Sequence, residues 1–477
     1  MLHQTIFVCF GLPVVYGLSV LELQLDLDNV AVRGRRAAIE AALRDAIRSG
    51  RLIAGSPLPS SRGLANDLGV SRSTIVAAYE QLTIEGFLIS RHGQGTRVAA
   101  ANVVTEPKQD APLLGPTLRW DLRPGEPDNS AFPRREWSRS LRRVLSEAPD
   151  AALSYPDPRG VPELRRALAH HVTRTRSVVA TPAAVFATGG FAAGLGFVAD
   201  ALRNQGHERV AVEAGMLPFH RATLRAAGLE TDTIAVDRHG VDVAELAATK
   251  ARAVVVTPAN QSVFGVTLTP ERRTALVAWA ETVNGWIIED DFDGEFRYDR
   301  RPIAAVQALA PSRVVYCGTA SKALGAGLRL GWMVVPESLR QPLVYAINSR
   351  AGVSTIDQLA LADFMERGWF DRHVRTMRRR YQRRRSDMVD RLDQHGPWLS
   401  VHAPTAGLHL VARLSNGRTE ADLLAAAEDH QVGLLGLQTH LRVRGDEHAA
   451  IIGFSRPAEH EFATALDRLD AVLATLD

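Results

Sequence analysis

Between residues 36 and 98 the apolar positions first recur at helical spacing and then alternate. In RAAIEAALRDAIRSG (36–50), Ile39, Leu43 and Ile47 share one helical face, and Gly50 supplies a stop. In AGSPLPSSRGLANDLGVSRSTIVAAYEQLTIEGF, Ser60 or Ser61 can cap a short helix whose apolar face is Leu64 and Leu68. Gly69 ends that helix, and Ser71 caps another with Ile75, Tyr79 and Leu82 facing inward. FLISRHGQGTRVA then reads as two short strands around a Gly93-Gln-Gly95 turn. Three helices and a hairpin predict a winged helix-turn-helix over 33–98.

Residues 99–118 are rich in Ala, Pro, Val and Thr without periodicity, as in a linker. From 119 to 477 helical stretches alternate with continuous apolar runs, among them VFATGG, RVAVE, AVVVTP, GWIIEDD, RVVYCGT and LGWMVVP. Such runs predict a largely parallel α/β sheet covered on both sides. We expect this large lobe over about 150–345. Strand-like GLHLVARL and AAIIGFS place a smaller α+β lobe over about 346–477.

Charge adds one distinction. Residues 31–98 carry ten arginines and five acids, a net +5 in a chain whose formal charge is only +3. A basic module on a mildly acidic remainder suggests that one domain touches nucleic acid. Cys9 and Cys317, far apart in the chain, suit neither a disulfide framework nor a zinc site, and a reducing cytoplasm is expected. The apolar opening, residues 1–32, lacks a basic n-region and a cleavage signature and is broken by Gly11-Leu-Pro13. It is expected to be an irregular extension, and no membrane span is expected.

A helix entering the major groove needs small or polar side chains at its N-terminus and cations for phosphate. Arg72, Ser73 and Thr74 occupy that first turn, Ser61 and Arg62 open the preceding helix, and Arg91 and His92 lie on the wing. These seven are the candidate contacts to double-stranded DNA. LPSSRGLANDLGVSRSTIVAAYEQL followed by EGFLISRHGQGTRV closely resembles the GntR family of bacterial winged-helix regulators.

Lys322 in GTASKALGAGLRLGW raises a different chemistry. A lysine that carries pyridoxal phosphate needs a carboxylate for the pyridine nitrogen and hydroxyls with a cation for the phosphate. WIIEDDFDGEF ends an apolar strand in acids, where α/β sheets place ligands. Asp290 is the preferred pyridine partner over Asp291 and Asp293, and Thr319, Ser321 and Arg329 are candidate phosphate ligands. EDDFDGEFRY (289–298), GTASKALGAGLRLG (318–331), WDLRPGEPDNSAFPRREWSRSLRRVL (120–145), YPDPRGVPELRRALAHHV (155–172), TAGLHLVARL (405–414) and IIGFSRP (451–457) resemble fold type I aminotransferases. Within those, the likeness is to MocR-type regulators, which join a GntR-like reader to an aminotransferase-like domain.

The resemblance implies pyridoxal 5'-phosphate, an aldimine at Lys322, a homodimer, and an amine, amino-acid or B6-vitamer effector whose carboxylate Arg456 would meet. Departures accompany it. Phe292 replaces a tyrosine and cannot hydrogen-bond the ring hydroxyl, leaving Asn260 and Gln261 as polar candidates near it. TGGFAAG (188–194) lacks polar side chains, so the backbone N–H groups of Gly189, Gly190 and Phe191 would hold phosphate. The arginine run at 374–392 reads as the solvated face of a long helix. The expectation is therefore a pyridoxal-phosphate-dependent DNA-binding regulator, with a working aminotransferase or a cofactor-free dimerisation lobe as rivals.

Overall fold

The computed structural model describes residues 34–91, 95–99, 118–299, 303–348, 352–441 and 447–476. The chain divides between Pro116 and Thr117 into two compact units. The opening segment 1–32, most of the expected linker, and His92 lie outside the described residues.

The first unit holds α1 (Arg35–Arg48), α2 (Ser61–Asp67), α3 (Arg72–Ile84) and an antiparallel pair, β1 (Leu88–Arg91) and β2 (Gly95–Val98). Ser60, not Ser61, is the N-cap of α2, accepting from Gly63 N at 3.1 Å. Ser71 caps α3 by accepting from Thr74 N at 3.2 Å. Gly69 adopts φ +59° between them, a left-handed conformation that glycine enters without steric cost. Ile39, Leu43 and Ile47 meet Leu64, Ile75, Tyr79 and Leu82 in one small core, against which Leu68 packs half-buried. The Tyr79 hydroxyl donates to Pro59 O at 3.1 Å, tying α3 to the segment that enters α2. A winged helix-turn-helix is thus formed.

The second unit is built on a seven-stranded sheet. Its strands are β3 (Val185–Thr188), β4 (Arg209–Glu213), β5 (Glu230–Ile234), β6 (Ala253–Val256), β7 (Trp286–Asp290), β8 (Val314–Thr319) and β9 (Gly331–Val334). Their spatial order is β3-β9-β8-β7-β6-β4-β5. β9 runs antiparallel to both neighbours and every other pairing is parallel. Strands β3, β6 to β9 and most of β4 are buried, which explains their uninterrupted apolar composition. Because the parallel strands all end on one side, Thr188, Glu213, Val256, Asp290 and Thr319 share the carboxyl edge of the sheet.

The smaller lobe is an antiparallel sheet, β10 (Leu399–His402), β11 (His409–Leu414), β12 (Leu435–Gly436) and β13 (Ala449–Gly453), in the order β10-β11-β13-β12. Trp120–Asp121 pairs with Val432–Gly433, so the start of this unit belongs structurally to the small lobe. That return was not expected from boundaries drawn along the chain.

The arginine-rich helix α4 (Trp369–Leu392) buries Phe370, Val374, Met377, Tyr381, Met388 and Leu392 on one stripe. Most of its arginines near the middle are engaged. Arg378 donates to Glu295 O at 2.8 Å, Arg380 to Asp128 Oδ2 at 2.8 Å, and Arg385 to Ala403 O and Pro404 O at 2.6 and 2.7 Å. Buried Arg384 meets Asp128 at 3.3 Å and Glu459 at 2.9 Å and donates to three backbone carbonyls. The run is therefore largely structural, with Arg375 and Arg379 left on the exposed side. Among the described residues no helix is long and apolar enough to cross a membrane.

Candidate cofactor site and DNA-reading surface

A cavity of about 430 Å³ opens at the carboxyl edge of the large sheet. Lys322 lies in its wall, in the connection between antiparallel β8 and β9. Its Nζ donates to Gly125 O and sits 5.8 Å from the centroid of the Phe292 ring. Burial pulls the amine below the usual lysine pKa, against the opposing charges of Asp293, Asp290 and Glu126. A lowered pKa makes the amine a better nucleophile near neutrality.

Three nearby acids have different surroundings. Asp291 is bound to buried Arg176 at 2.6 and 2.9 Å and accepts from the Tyr316 hydroxyl at 2.7 Å. Asp293 accepts from Asn260 Nδ2 at 2.7 Å. Asp290 alone of the three lines the cavity, and its buried Oδ1 has no hydrogen-bond partner. Burial, then Asp293 and Asp291, raises its pKa well above the carboxylate range. A buried acceptor without a donor is costly. A protonated pyridine nitrogen provides the missing donor and the missing counter-charge together.

The opposite end of the cavity suits an anion. Gly190 and Phe191 open α-helix Phe191–Asn204, which has no side-chain N-cap, so its first N–H groups remain for a ligand. Gly190 has φ +91°, and a Cβ there would approach the Arg329 guanidinium at 3.6 Å. Thr319 Oγ1 and Ser321 Oγ lie 2.9 Å apart beside it. A helix terminus, two hydroxyls and a guanidinium therefore face one space, and the residues fit pyridoxal phosphate.

Of the residues singled out in the sequence, Lys322, Asp290, Thr319, Ser321, Arg329, Gly190 and Phe191 line this cavity together. Four others do not, among them Gln261, whose side chain donates to Glu213 and accepts from the Val263 and Phe264 N–H groups. Gly189 precedes the helix and leaves the cavity wall to Gly190. Asn260 is turned away by its bond to Asp293, and Ser262 from the same NQSVFG stretch lines the cavity instead. Arg456 is held by Asp121 at 2.6 Å and by Glu126, itself a lining residue, at 2.7 Å.

Sequence reading also missed Glu213, His220, His409 and Glu126. Glu213 ends the apolar run RVAVE just as Asp290 ends WIIED, a signal that could have found it. It accepts from Thr257 N and Oγ1 at 3.2 and 2.5 Å and from Gln261 at 3.3 Å, while burial raises its pKa. His220 stacks edgewise between Phe191 and Phe219, with centroids 4.8 and 4.1 Å away. Burial, with a smaller effect of Lys322, lowers its pKa to about 4. Burial likewise brings His409 to about 4.

In the first unit, Ser61 and Arg62 start α2, and Arg72, Ser73 and Thr74 form the first turn of α3. Arg72 Nε reaches Ser61 Oγ at 3.4 Å, so the two helix starts are adjacent. Arg62, Arg72 and Arg91 are exposed. Three other arginines of the unit are paired, Arg44 with Glu85 at 2.7 Å, Arg36 with Glu40 at 3.3 Å and Arg51 with Asp45. Among the described residues the three expected phosphate or base contacts make no ion pair.

Fold and site define an aminotransferase-type domain joined to a winged-helix reader. Residues 124–443 match the family "aminotransferase class I and II", and residues 35–98 match "bacterial regulatory proteins, gntR family". The chain is 32% identical over 436 residues to the probable rhizopine catabolism regulatory protein MocR of Rhizobium meliloti, spanning 87% of this chain and 88% of that one. It is also 32% identical over 376 residues to the pyridoxine biosynthesis transcriptional regulator PdxR of Corynebacterium glutamicum, spanning 77% and 81%. The protein belongs to the MocR-type transcriptional regulators of the GntR family. An archaeal alanine:glyoxylate aminotransferase shares its fold, with a TM-score of 0.68 at 24% identity over 76% of this chain and 92% of that chain.

Proposed function

We propose that this regulator holds pyridoxal phosphate at Lys322 and senses an amine-bearing small molecule that competes with that lysine, reporting the exchange to DNA through the winged unit. The observation that carries this reading is the unpaired, buried Asp290 Oδ1 in the same cavity as a pKa-lowered lysine. When bound, the cofactor supplies an aldehyde carbon that primary amines attack and a ring that draws electrons from it.

The chain's own groups divide the remaining work. Asp290 holds the proton on the ring nitrogen. Gly190, Phe191, Thr319, Ser321 and Arg329 would hold the phosphate, and Lys322 would supply the amine that meets the aldehyde. Phe292 and the apolar end of β6, Val255 and Val256, would shield the bound ring from water. His220 and His409, kept neutral above about pH 4, are too weakly basic to take a proton from an entering ammonium group, and they add no positive charge beside an amine that must be neutral to attack.

We further assign DNA contact to Ser61, Arg62, Arg72, Ser73, Thr74, Arg91 and His92, in a reader spanning 33–98 followed by a linker at 99–118 and a sensor at 119–477. A homodimer acting in the cytoplasm on two half-sites completes the reading.

The test is spectroscopic. Purified protein incubated with pyridoxal phosphate is expected to show an absorbance band that disappears in Lys322→Ala. A wild-type spectrum identical to that of the variant overturns the reading and leaves a lobe that serves only association. Multiple turnover with amino acids at ordinary enzymatic rates, about 1–1000 per second, identifies a working aminotransferase instead.

A further inference from the structure

We propose that His373 is a positioning residue for Lys322, holding, through the carbonyl of Ala323, the turn from which the amine projects. The proposal deepens the reading above, in which that amine meets pyridoxal phosphate, and rests on it. His373 stands in the second turn of α4, and its Nε2 lies 2.8 Å from Ala323 O. A carbonyl oxygen only accepts, so Nε2 carries the hydrogen and donates it. Protonation at Nδ1 leaves that donor in place, so acid does not release the grip.

The turn needs an outside hold. Between β8 and β9 the connection is closed by Ala320 N on Leu330 O at 2.9 Å and makes one helical turn, with Leu324 N on Ala320 O at 2.8 Å. Lys322 lies inside that single turn, which is too short to be stable by itself. Ala320, Ala323 and Leu324 are buried in the core that also takes Phe370 and Val374 of α4. That packing sets the depth of the turn, but apolar contact has no direction. The hydrogen donated by His373 sets the orientation.

The acceptor of the amine is fixed to the same helix. Lys322 Nζ donates to Gly125 O. In the same segment the Asp128 N–H donates to the Tyr381 hydroxyl at 2.9 Å, and the Asp128 carboxylate accepts from Arg380 at 2.8 Å and Arg384 at 3.3 Å. From His373 to Tyr381 is just over two turns of α-helix, roughly 12 Å of stiff rod. Helix α4 therefore sets both the root of the lysine and the point that its amine reaches. Burial lowers the pKa of His373 below its ordinary value, and the charges that face it are Arg380 of its own helix and Glu136 of the helix Arg134–Glu147.

A side chain that only satisfied a buried carbonyl would cost stability and leave the chemistry of the amine alone. Full-length wild type is compared with His373→Leu, which cannot donate, and His373→Gln, whose amide nitrogen reaches where Nε2 does. Hydrogen exchange over residues 319–330 is followed in the cofactor-free proteins. Pyridoxal phosphate is then titrated at a series of pH values while the Lys322-dependent band is recorded. In His373→Leu, exchange over 319–330 is expected to quicken at least about tenfold. Half-saturation by pyridoxal phosphate should need about tenfold more, and the pH midpoint of the band should move by at least about half a unit. His373→Gln should stay within about threefold of wild type in exchange and affinity.

A His373→Leu protein that melts lower yet keeps the wild-type affinity and pH midpoint overturns the proposal, because the histidine then only supports the fold. Equal losses in His373→Leu and His373→Gln also overturn it, since ring volume and not the donated hydrogen is then at work. Unchanged exchange over 319–330 does the same. If His373→Leu does not fold, His373→Asn, whose amide falls short of Ala323, is held to the same criteria. Absence of any Lys322-dependent band in wild type is the failure of the underlying reading and removes this proposal with it. A Lys322-dependent band indifferent to His373→Leu defeats this proposal alone.

Discussion

Asp290, Asp291 and Asp293 carry the same functional group within four positions, and their neighbours give each a different role. Asp291 neutralises buried Arg176, so Asp291→Asn is expected to destabilise the second unit by about 3–5 kcal/mol, because it leaves a buried charge uncompensated. Urea unfolding measures this. Asp290→Asn should keep the fold and lose cofactor affinity, since its Oδ1 has no partner in the protein to lose. Sequence alone ranked Asp290 first because it ends the apolar strand, and that much was legible. The place of Ser262 in the cavity was not, since the sequence pointed to Asn260 and Gln261, whose amides meet Asp293 and Glu213 instead.

Two of the three cavity histidines, His220 and His409, give a pH prediction at the same scale. Each is brought to about 4 in the folded protein from an ordinary value of 6.5. Below about pH 6.5 the unfolded chain gains protons there that the folded one refuses, so their contribution to stability is present above that pH and falls as it drops toward 4. Glu289 and Asp293, raised by burial to about 7, act in the opposite sense and weaken stability as pH rises from the usual carboxylate range to 7. The comparison of His220→Phe with wild type isolates one group. The variant's relative stability should improve by on the order of 1–3 kcal/mol between pH 7 and 4.5, read from urea midpoints at each pH.

Among the elements, α3 combines a stabilising cap with the expected reading surface, and the two can be separated. Ser71→Ala should cost about 1 kcal/mol of stability by freeing the Thr74 N–H. Arg72→Ala should leave stability nearly unchanged and weaken operator binding by about 1–3 kcal/mol if the guanidinium contacts a base. Thermal unfolding and binding isotherms at fixed salt distinguish them. The winged unit was readable almost throughout, because its caps, glycine stop and apolar faces are all local signals. Helix α4 was readable as amphipathic, but the partners of its arginines lie far away in the chain, at Asp128, Glu295 and Glu459. No local pattern could have supplied them.

At the scale of the whole molecule, the carboxyl edge of one sheet gathers residues from the ends of five separate strands and the loops that follow them, which is why single motifs looked weak and their combination did not. The chain exposes Leu145, Leu153 and Tyr155, and the proposed homodimer predicts that apolar residues such as these meet the second copy. Leu153→Asp together with Tyr155→Asp should shift the protein toward monomer in sedimentation and reduce binding to paired half-sites. Signalling between sensor and reader is bounded by the effector's differential affinity for two states, typically 1–3 kcal/mol. A modest change in promoter occupancy is the expected output.

One feature of the sheet bears on how such a sensor lasts. Lys322 and Arg329 belong to the same short connection between β8 and β9, clamped at its base by the bond from Ala320 N to Leu330 O at 2.9 Å. On the proposed function, the amine that lets go and the guanidinium that holds on are thus anchored to one stiff clip. Each signalling round would then break the link at one tip while the other kept its grip, so the detector would reset without recruiting a fresh vitamin molecule.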